Sequence, residues 1–440
     1  MSAPVTTERK ANVEELAKAA KAASRKLATL SYEKKNAALE AVAKALEQHA
    51  PEILAASAED VREAEALVKS GELSQALLKR LLLDAAKLAE MVRGVRAVSE
   101  LPDPSGQILE RRLLDTGLEL HKVSCPLGVL AVIFEARPDA VTQISALSVK
   151  SGNAVILKGG REVERTTQVL VSTMRAALAN TGVPADAICA VYGREAVAAL
   201  LSMDDRIDLV IPRGSNALVQ HIQRNTRIPV LGHADGVCHA YVDSAADQAM
   251  ALSIVVDSKV QYPAVCNALE TVLIHQKIAA TLLPLLMKRF AEKSVRVRGC
   301  AHSRAIAPEI EAISDDEWRM EYSDLVAAVR IVDSIDAAID HINRYGSHHT
   351  DAIITTDATA AQKFLDEVDS ANVFHNASTR FSDGYRYGFG SEVGISTSKL
   401  HARGPVGLEG LVTYKYKLYG SGQTVAEYAG PKRKKFLHEK

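Results

Sequence analysis

The sequence predicts an α/β fold in which two regions each alternate strands with helices. Short apolar runs alternate with helical segments from Cys125 to about Leu231, and again from Thr271 to about His375. Such alternation is typical of a parallel, doubly wound sheet with crossover helices. A third observation is the turn signal Asp115-Thr116-Gly117 between two strand-like runs, which predicts an antiparallel hairpin.

Composition favours an ordinary globular protein with small-molecule partners. The 440 residues are 47% hydrophobic and 24% charged, which leaves room for two or three domains. The formal net charge is −1, so charge gives no reason to expect binding to nucleic acid.

The cysteines and the N-terminus predict a cytoplasmic protein. Five widely spaced cysteines without a CxxC pair indicate neither a zinc site nor a disulfide framework, and this favours a reducing compartment. The N-terminus resembles neither a secretory signal nor a transit peptide. The longest apolar runs, such as 127–134, are too short to span a bilayer.

The first half is predicted to begin with helices and to continue as a nucleotide-binding sheet. Helical periodicity covers residues 13–98, and a hairpin of strands at 107–113 and 118–123 follows. Two strands bury little by themselves, so this hairpin is expected to pack elsewhere or across a subunit interface. Further strands are predicted at 128–134, 154–158, 188–192, 209–211 and 229–231, with helices at 138–150, 163–180, 196–202 and 216–224.

The second half predicts another α/β domain. Strands are expected at 271–274, 327–332, 351–355 and 372–375, with helices at 278–292, 335–345 and 358–368. A glycine-rich irregular stretch at 378–410 precedes a strand-like run at 411–418. The predicted division is a cofactor domain at 1–106 and 124–245, a catalytic domain at 246–404, oligomerisation strands at 107–123 and 405–420, and a tail at 421–440.

Two strand ends in the first half carry features of a phosphate or nucleotide site. Lys158, Gly160 and Arg161 follow the predicted strand 154–158, at the sheet edge where open parallel sheets bind ligands. Gly214 and Ser215 form a tight turn before a helix, whose free N–H groups attract anions. No G-x-G-x-x-G run is present, so both signals are weak alone, and solvated loop charges explain Lys158 and Arg161 equally well.

Cys266 is the predicted nucleophile. It lies in the run S-K-V-Q-Y-P-A-V-C-N-A-L-E-T at 258–271, and the residues after it, from Asn267 to Glu270, are predicted to form a first helical turn. Free N–H groups of such a turn would stabilise the thiolate. The competing interpretation is a small buried hydrophobic residue, which is the common role of a free cysteine.

A metal site is not predicted. His233, Asp235, His239 and Asp243 are close in sequence, but the chain has no H-E-x-x-H run and no dense cluster of ligands. A polar loop near the active site is the favoured interpretation.

The order of these features resembles the aldehyde dehydrogenase superfamily, and within it the γ-glutamyl phosphate reductases, also called glutamate-5-semialdehyde dehydrogenases. The resemblance covers nearly the whole chain. Its most specific motifs are C-P-L-G-V at 125–129, F-E-A-R-P-D at 134–139, Y-P-A-V-C-N-A-L-E-T at 262–271, F-S-D-G-Y-R-Y-G-F-G-S-E-V-G-I-S-T at 381–397 and H-A-R-G-P-V-G-L-E at 401–409.

The resemblance implies an aldehyde-dehydrogenase-like fold and a reductive step of proline biosynthesis. γ-Glutamyl phosphate would be reduced with NADPH to the semialdehyde, with Cys266 carrying a thioacyl intermediate and phosphate leaving. Lys158 would contact the adenosine ribose, Gly214 and Ser215 the pyrophosphate, and Glu321 the nicotinamide ribose. Arg161, with Gly160 beside it, would select the 2′-phosphate of NADP.

Two departures from the superfamily pattern bear on the chemistry. Hydrolytic relatives carry a glutamate base in an E-L-G-G run, whereas V-L-G-H-A-D stands around His233, which favours the phosphate-linked reaction. The usual oxyanion asparagine is also absent from E-A-R-P at 135–138, so donors are sought in the Cys266 N–H, Asn267 or Arg137.

The resemblance also implies substrate contacts and partners. Arg137 is assigned to the substrate phosphate or carboxylate, and Asn376 and Arg380 are further predicted contacts. A homo-oligomer is expected for a separate reason, because the hairpin and the strand at 411–418 otherwise lack partners. Docking with glutamate 5-kinase would protect a labile acyl phosphate. The alternatives are a hydrolytic NAD-dependent aldehyde dehydrogenase, a non-redox cysteine acyltransferase and an inactive homologue that serves as a binding subunit.

Overall fold

The chain folds into two compact units. The computed structural model describes residues 3–232 and 235–439. The first unit comprises the chain up to Val230, Gly390–Gly394 and the chain from Val406 onward. The second comprises Leu231–Phe389 and Ile395–Pro405. The predicted α/β class is confirmed, because each unit contains a parallel sheet with helices between its strands.

Five helices begin the first unit, as the periodicity predicts. Their polar N-terminal residues explain where several of them start: Ser31 and Asp84 accept hydrogen bonds from the backbone N–H groups of Lys34 and Lys87. The helices are α1 Ala3–Leu27, α2 Tyr32–Gln48, α3 Ala50–Lys69, α4 Gln75–Leu81 and α5 Ala85–Glu100.

A four-stranded parallel sheet forms the core of the first unit, in the order β5-β4-β3-β6. All six residues of β3 are buried, as expected for a strand covered on both faces. The strands are β3 Val129–Phe134, β4 Ala154–Gly159, β5 Ile188–Ala190 and β6 Leu209–Arg213; the helices are α6 Pro138–Ser151, α7 Glu164–Leu178, α8 Glu195–Leu201 and α9 Asn216–Arg224. The predicted strand at 229–231 is wrong, because Val230 forms only an isolated bridge with Val210.

The strand order brings the two predicted cofactor turns to one edge of this sheet. Phe134 at the end of β3 is in register with Gly159 of β4 on one side and Arg213 of β6 on the other. The turn after Lys158 and the turn at Gly214 therefore flank the segment that follows Phe134.

The predicted hairpin belongs to a three-stranded antiparallel sheet. Strands β1 (Ile108–Asp115) and β16 (Val412–Tyr419) both pair with β2 (Leu118–Pro126). The side chains of β16 after Val412 are exposed, and they include Tyr414, Tyr416, Leu418 and Tyr419. Within the first unit this sheet therefore keeps an uncovered apolar edge.

A seven-stranded parallel sheet organises the second unit, in the order β10-β9-β11-β8-β7-β12-β13. Its strands are β7 Cys238–Val242, β8 Leu269–His275, β9 Arg296–Gly299, β10 Glu311–Ala312, β11 Val326–Val332, β12 Thr350–Ile354 and β13 Asn372–His375. Its helices are α10 Gln248–Val260, α11 Gln276–Glu292, α12 Ala301–Ile306, α13 Ile335–Tyr345 and α14 Ala358–Glu367. The sequence patterns miss β7, β9, β10 and α12.

Strand β7 also corrects the predicted domain boundary. It pairs with β8 and β12 of the second unit, whereas the sequence assigns residues up to 245 to the cofactor domain. The glycine-rich stretch is largely irregular as predicted, apart from β14 Gly394–Ser396, β15 Gly404–Val406 and two 3₁₀ turns, Thr379–Phe381 and Leu408–Leu411. No helix within the described ranges 3–232 and 235–439 is long and apolar enough to cross a membrane.

A buried carboxylate fixes the start of α7, the helix that follows the Lys158 turn. Asp60 of α3 is 3% exposed and accepts hydrogen bonds from the Thr166 N–H at 2.8 Å and the Thr166 hydroxyl at 2.7 Å. The Arg165 N–H adds a longer bond of 3.3 Å. The side chain thus caps α7 from another helix and holds the chain just after Arg161.

We expect Asp60→Ala to lower the free energy of unfolding by about 1 to 3 kcal/mol, because it leaves buried donors unsatisfied. Denaturant unfolding of the whole chain measures this. Glu65→Ala changes an exposed acid on the same helix and should stay within roughly 0.5 kcal/mol of the wild type. Equal effects of the two substitutions would rule out the capping role.

Candidate active site

Lys158 and Arg161 lie at the sheet edge of the first unit where the sequence places them. Lys158 is half-buried at the end of β4, and burial lowers its pKa while the carboxylates of Glu162 and Glu164 oppose this shift. Arg161 is exposed and begins a short 3₁₀ helix, Arg161–Val163. One cation is therefore held against the sheet, and the other extends into solvent.

Gly160 leaves room for the carboxylate of Glu162 beside it. A Cβ atom at this position would collide with the carboxylate of Glu162. That carboxylate accepts a hydrogen bond of 2.7 Å from the Ala136 N–H. Ala136 has a φ of 46°, a left-handed conformation that is uncommon for alanine. Glu162 thereby joins the β4 turn to the turn after β3.

The predicted pyrophosphate turn holds an anion of the protein itself. Ser215 caps α9 by accepting from the Leu218 N–H, and its own N–H donates to the Glu135 carboxylate at 2.7 Å. A Cβ atom on Gly214 would lie 2.5 Å from the same carboxylate oxygen. The turn therefore accommodates an oxyanion. A phosphate bound there would accept the hydrogen bond of the Ser215 N–H in place of the Glu135 carboxylate.

Arg137 stands at the N-terminus of α6, two residues after Glu135. Its side chain is 39% exposed, and its Nη2 lies 3.4 Å from the Asp139 carboxylate. A partly exposed pair of this kind is weak, and it uses only one nitrogen of the guanidinium. The remaining N–H groups of Arg137 can therefore donate to an anionic ligand.

Cys266 of the second unit lies in a turn, and the helix predicted after it is wrong. The Ala268 N–H donates to the Val265 carbonyl at 2.9 Å, and β8 begins at Leu269. All seven residues of β8 are buried, so the demands of the sheet outweigh the local helix preference of Asn-Ala-Leu-Glu. Cys266 is partly exposed as a residue, so it is not the fully buried hydrophobic residue of the competing interpretation.

Gly236 fixes the backbone of the nucleophile and also contacts Glu321. A Cβ atom on Gly236 would lie 2.5 Å from the Cys266 Cα and closer still to its carbonyl oxygen. The Gly236 N–H donates to the Glu321 carboxylate at 2.8 Å. Gly236 thus contacts both Cys266, the predicted nucleophile, and Glu321, the residue predicted to bind the nicotinamide ribose.

A buried ion pair joins the two ends of the nucleophile loop, residues 261–268. Lys259, in the last turn of α10, donates to Glu270 of β8 at 2.9 Å, and both side chains are completely buried. Burial raises the pKa of Glu270 to about 7, against the opposing charge and hydrogen bond of Lys259. The pair joins the residues that precede and follow the loop 261–268.

Segment 378–382 braces the same loop through polar contacts. The Thr379 hydroxyl donates to the Asn267 carbonyl at 2.7 Å, and the Asn267 amide donates to the Ser382 carbonyl at 2.7 Å. Asn267 is buried, and its bond to Ser382 already engages one of its amide hydrogens. The Cys266 N–H has no acceptor in the part of the chain that the structure describes, and this makes it the better placed oxyanion donor.

The two predicted substrate residues of the C-terminal region differ in their surroundings. The Asn376 side chain bonds to the backbone of Thr355 through both its oxygen, at 3.0 Å, and its nitrogen, at 2.9 Å. This favours a structural role, and substrate contact by Asn376 stays a prediction. Arg380 is 7% exposed and donates to the Gln261 side chain at 2.9 Å.

Sequence patterns missed the residues that support the site. Glu135, Lys259 and Glu270 lie within the quoted sequence runs, but nothing in those runs marks their partners. Gly236 lies outside the quoted runs and was assigned to the other predicted domain. Cys238 was also missed; its thiol donates to the Cys266 carbonyl at 3.2 Å. Its role depends on a contact between β7 and the nucleophile loop that periodicity does not reveal.

Two of the residues weighed as metal ligands, His239 and Asp243, are engaged by other side chains. His233 lies outside the described residues. Of the others, His239 is buried and bonds to Asp351 at 2.8 Å, while Asp243 accepts from Thr355 at 2.9 Å. Within the described part of the chain, no three His, Cys, Asp or Glu side chains are grouped as ligands.

Comparison with known proteins gives a consistent result. A model described as the aldehyde dehydrogenase family matches residues 1–319. A γ-glutamyl phosphate reductase from Synechococcus sp. (strain JA-3-3Ab) is 55% identical over 420 residues, which cover 95% of this chain and 92% of that protein. One from Natronomonas pharaonis is 53% identical over 422 residues, which cover 96% of each. The crystal structure of γ-glutamyl phosphate reductase from Thermotoga maritima, 36% identical, superposes with a TM-score of 0.91 and covers 94% of this chain and 99% of that one.

The chain belongs to the γ-glutamyl phosphate reductase family. It is thus an oxidoreductase of the aldehyde dehydrogenase family, whose members use nicotinamide cofactors. The resemblance and the fold class drawn from the sequence are confirmed.

We expect Gly236→Ala to lower kcat by about 100-fold, because the added methyl displaces the backbone of Cys266. Steady-state assays, with circular dichroism to monitor folding, measure this. Gly94→Ala is the matched control, since no atom lies within 4 Å of its Cβ position in α5 and alanine favours a helix. A normal kcat in the Gly236→Ala variant would contradict the close contact.

Proposed function

We propose that this protein reduces L-glutamyl 5-phosphate to L-glutamate 5-semialdehyde with NADPH, in proline biosynthesis. Family membership supports the reaction class, and the partly exposed Cys266, held by Gly236 on a fixed turn, is the observation that carries the mechanism. The proposal needs one nucleophile, an oxyanion donor and a hydride donor.

The chemistry proceeds in two stages. The Cys266 thiolate attacks the acyl phosphate carbonyl, the C–S bond forms, and the C–O bond to phosphate breaks with release of inorganic phosphate. When bound, NADPH would supply the hydride that reduces the thioester carbon. The oxyanion left on that carbon re-forms the C=O bond as the C–S bond breaks, which returns the Cys266 thiolate and gives the aldehyde. The Cys266 N–H would stabilise the oxyanion in both stages.

The cofactor residues support a preference for NADPH. Lys158 stands at the end of β4 for the ribose, and Gly214 and Ser215 form an oxyanion-binding turn for the pyrophosphate. Arg161 is exposed at the same edge, where its guanidinium can pair with a 2′-phosphate. Glu321 keeps its proposed role at the nicotinamide ribose, held by Gly236.

The partners proposed are a second copy of the chain and glutamate 5-kinase. The exposed tyrosines of β16 support an interface between copies, since an uncovered sheet edge pairs readily. Docking to the kinase would shorten the exposure of an acyl phosphate to water. Five free cysteines support the cytoplasm as the compartment.

We expect Cys266→Ala to reduce phosphate-dependent oxidation of the semialdehyde by more than roughly 10³-fold, because the thioacyl intermediate cannot form. NADPH affinity, measured by fluorescence titration, should stay near the wild-type value. Retained activity in this variant would defeat the mechanism. Loss of NADPH binding together with activity would point instead to a structural role for the thiol.

We expect Arg161→Glu to lower the ratio of kcat/KM with NADP to that with NAD by at least roughly ten-fold, since the new carboxylate repels the 2′-phosphate. Arg224→Glu makes the same charge change at another exposed arginine of the first unit and should leave the ratio unchanged. An unaltered ratio in Arg161→Glu would refute the 2′-phosphate role.

A further inference from the structure

The second unit contains a small polar cavity between the last turn of α10 and the segment after β13. Its volume is about 190 Å³, well above the roughly 10–15 Å³ that one water molecule occupies. The lining residues are Asp257, Gln261, Arg380, Phe381 and Arg386. One carboxylate and two arginine side chains thus line one partly open cavity.

Arg380 supplies a cationic position that lacks an anionic partner. The side chain is 7% exposed, and its Nε donates to the Gln261 Oε1 at 2.9 Å. Within the described part of the chain no carboxylate lies at ion-pair distance from its guanidinium. A buried charge is costly unless it is paired, so this arrangement suits an anion that arrives with a ligand.

Arg386 adds positive charge to the same wall and steadies Arg380. It donates to the Arg380 carbonyl at 2.9 Å, while its Nη1 lies 3.7 Å from the Asp383 carboxylate. Gln261 holds the Arg380 side chain from the other direction. The orientation of the buried guanidinium is therefore set before any ligand binds.

Asp257 places a negative charge in the cavity without neutralising Arg380. It is exposed in the last turn of α10, and its carboxylate makes no hydrogen bond or ion pair among the described residues. Opposite charges held apart in one cavity complement a zwitterion, whose ammonium and carboxylate groups are attached to the same carbon. An α-amino acid head group has this charge arrangement.

The cavity is connected to the nucleophile loop. Thr379, next to Arg380, donates to the carbonyl of Asn267, the residue after Cys266. A head group bound here would therefore place the ligand beside the loop that carries the thiol.

We propose that this cavity is the subsite for the α-amino acid head group of the substrate, with Asp257 binding the α-ammonium and Arg380 the α-carboxylate. The assignment deepens and rests on the proposed function, and makes Asp257 a specificity-determining residue. Its consequence is that an otherwise identical acyl chain without the amino group, such as glutarate semialdehyde, is a poor substrate.

Calorimetric titration of the wild-type protein with L-glutamate and glutarate tests the subsite, because the two ligands differ only in the α-ammonium. We expect L-glutamate to bind at least roughly ten-fold more tightly. Asp257→Asn should abolish this preference, whereas Asp340→Asn, an exposed acid on α13 without a partner, should retain it. Arg380→Gln should weaken L-glutamate binding more than binding of its α-amide.

Equal affinities for the two ligands in the wild type, undetectable L-glutamate binding, or an unchanged preference in Asp257→Asn would each overturn the subsite. Asp257 is exposed, so its substitution leaves folding intact. These binding ratios need no turnover. Failure of the proposed function would appear separately, as wild-type protein that binds L-glutamate selectively but does not reduce NADP with the semialdehyde and phosphate.

Discussion

The close approach of Gly236 to Cys266 is the constraint on which the catalytic unit depends. Only a hydrogen atom fits where the two backbones meet, and the same glycine donates its N–H to Glu321. The sulfur is therefore presented by a turn whose position is fixed by packing, and not by a helix N-terminus. Such positioning is what thioester chemistry requires, because the thiolate must meet both an acyl carbon and a hydride donor.

Buried polar groups flank the turn that carries Cys266. Lys259 and Glu270 form an ion pair completely out of solvent, and loss of either partner would leave a charge uncompensated. The pair mainly fixes where the loop 261–268 begins and ends, and it adds little to the free energy of unfolding. Arg380 is the contrast, since its buried guanidinium has only a neutral amide partner and so remains available to a ligand.

Sequence patterns predicted the elements whose signals are local. Helix α9 begins where Ser215 caps it, and α6 begins at Pro138, as the turn chemistry indicates. Strand β7 was missed because Cys-His-Ala-Tyr-Val reads as a polar loop until its burial between β8 and β12 is known. The site residues came from motifs and from a family resemblance; their partners, such as Glu135 at Ser215 and Gly236 at Cys266, depend on tertiary contacts that no spacing encodes.

The central claim is that Cys266 carries an acyl group for exchange with phosphate and hydride, and does not pass it to water. Oxidation of L-glutamate 5-semialdehyde by NADP, assayed over a range of inorganic phosphate concentrations, tests this most directly. We expect turnover that saturates with phosphate and is absent without it, with an acyl phosphate as the product. Phosphate-independent turnover that forms glutamate would contradict it.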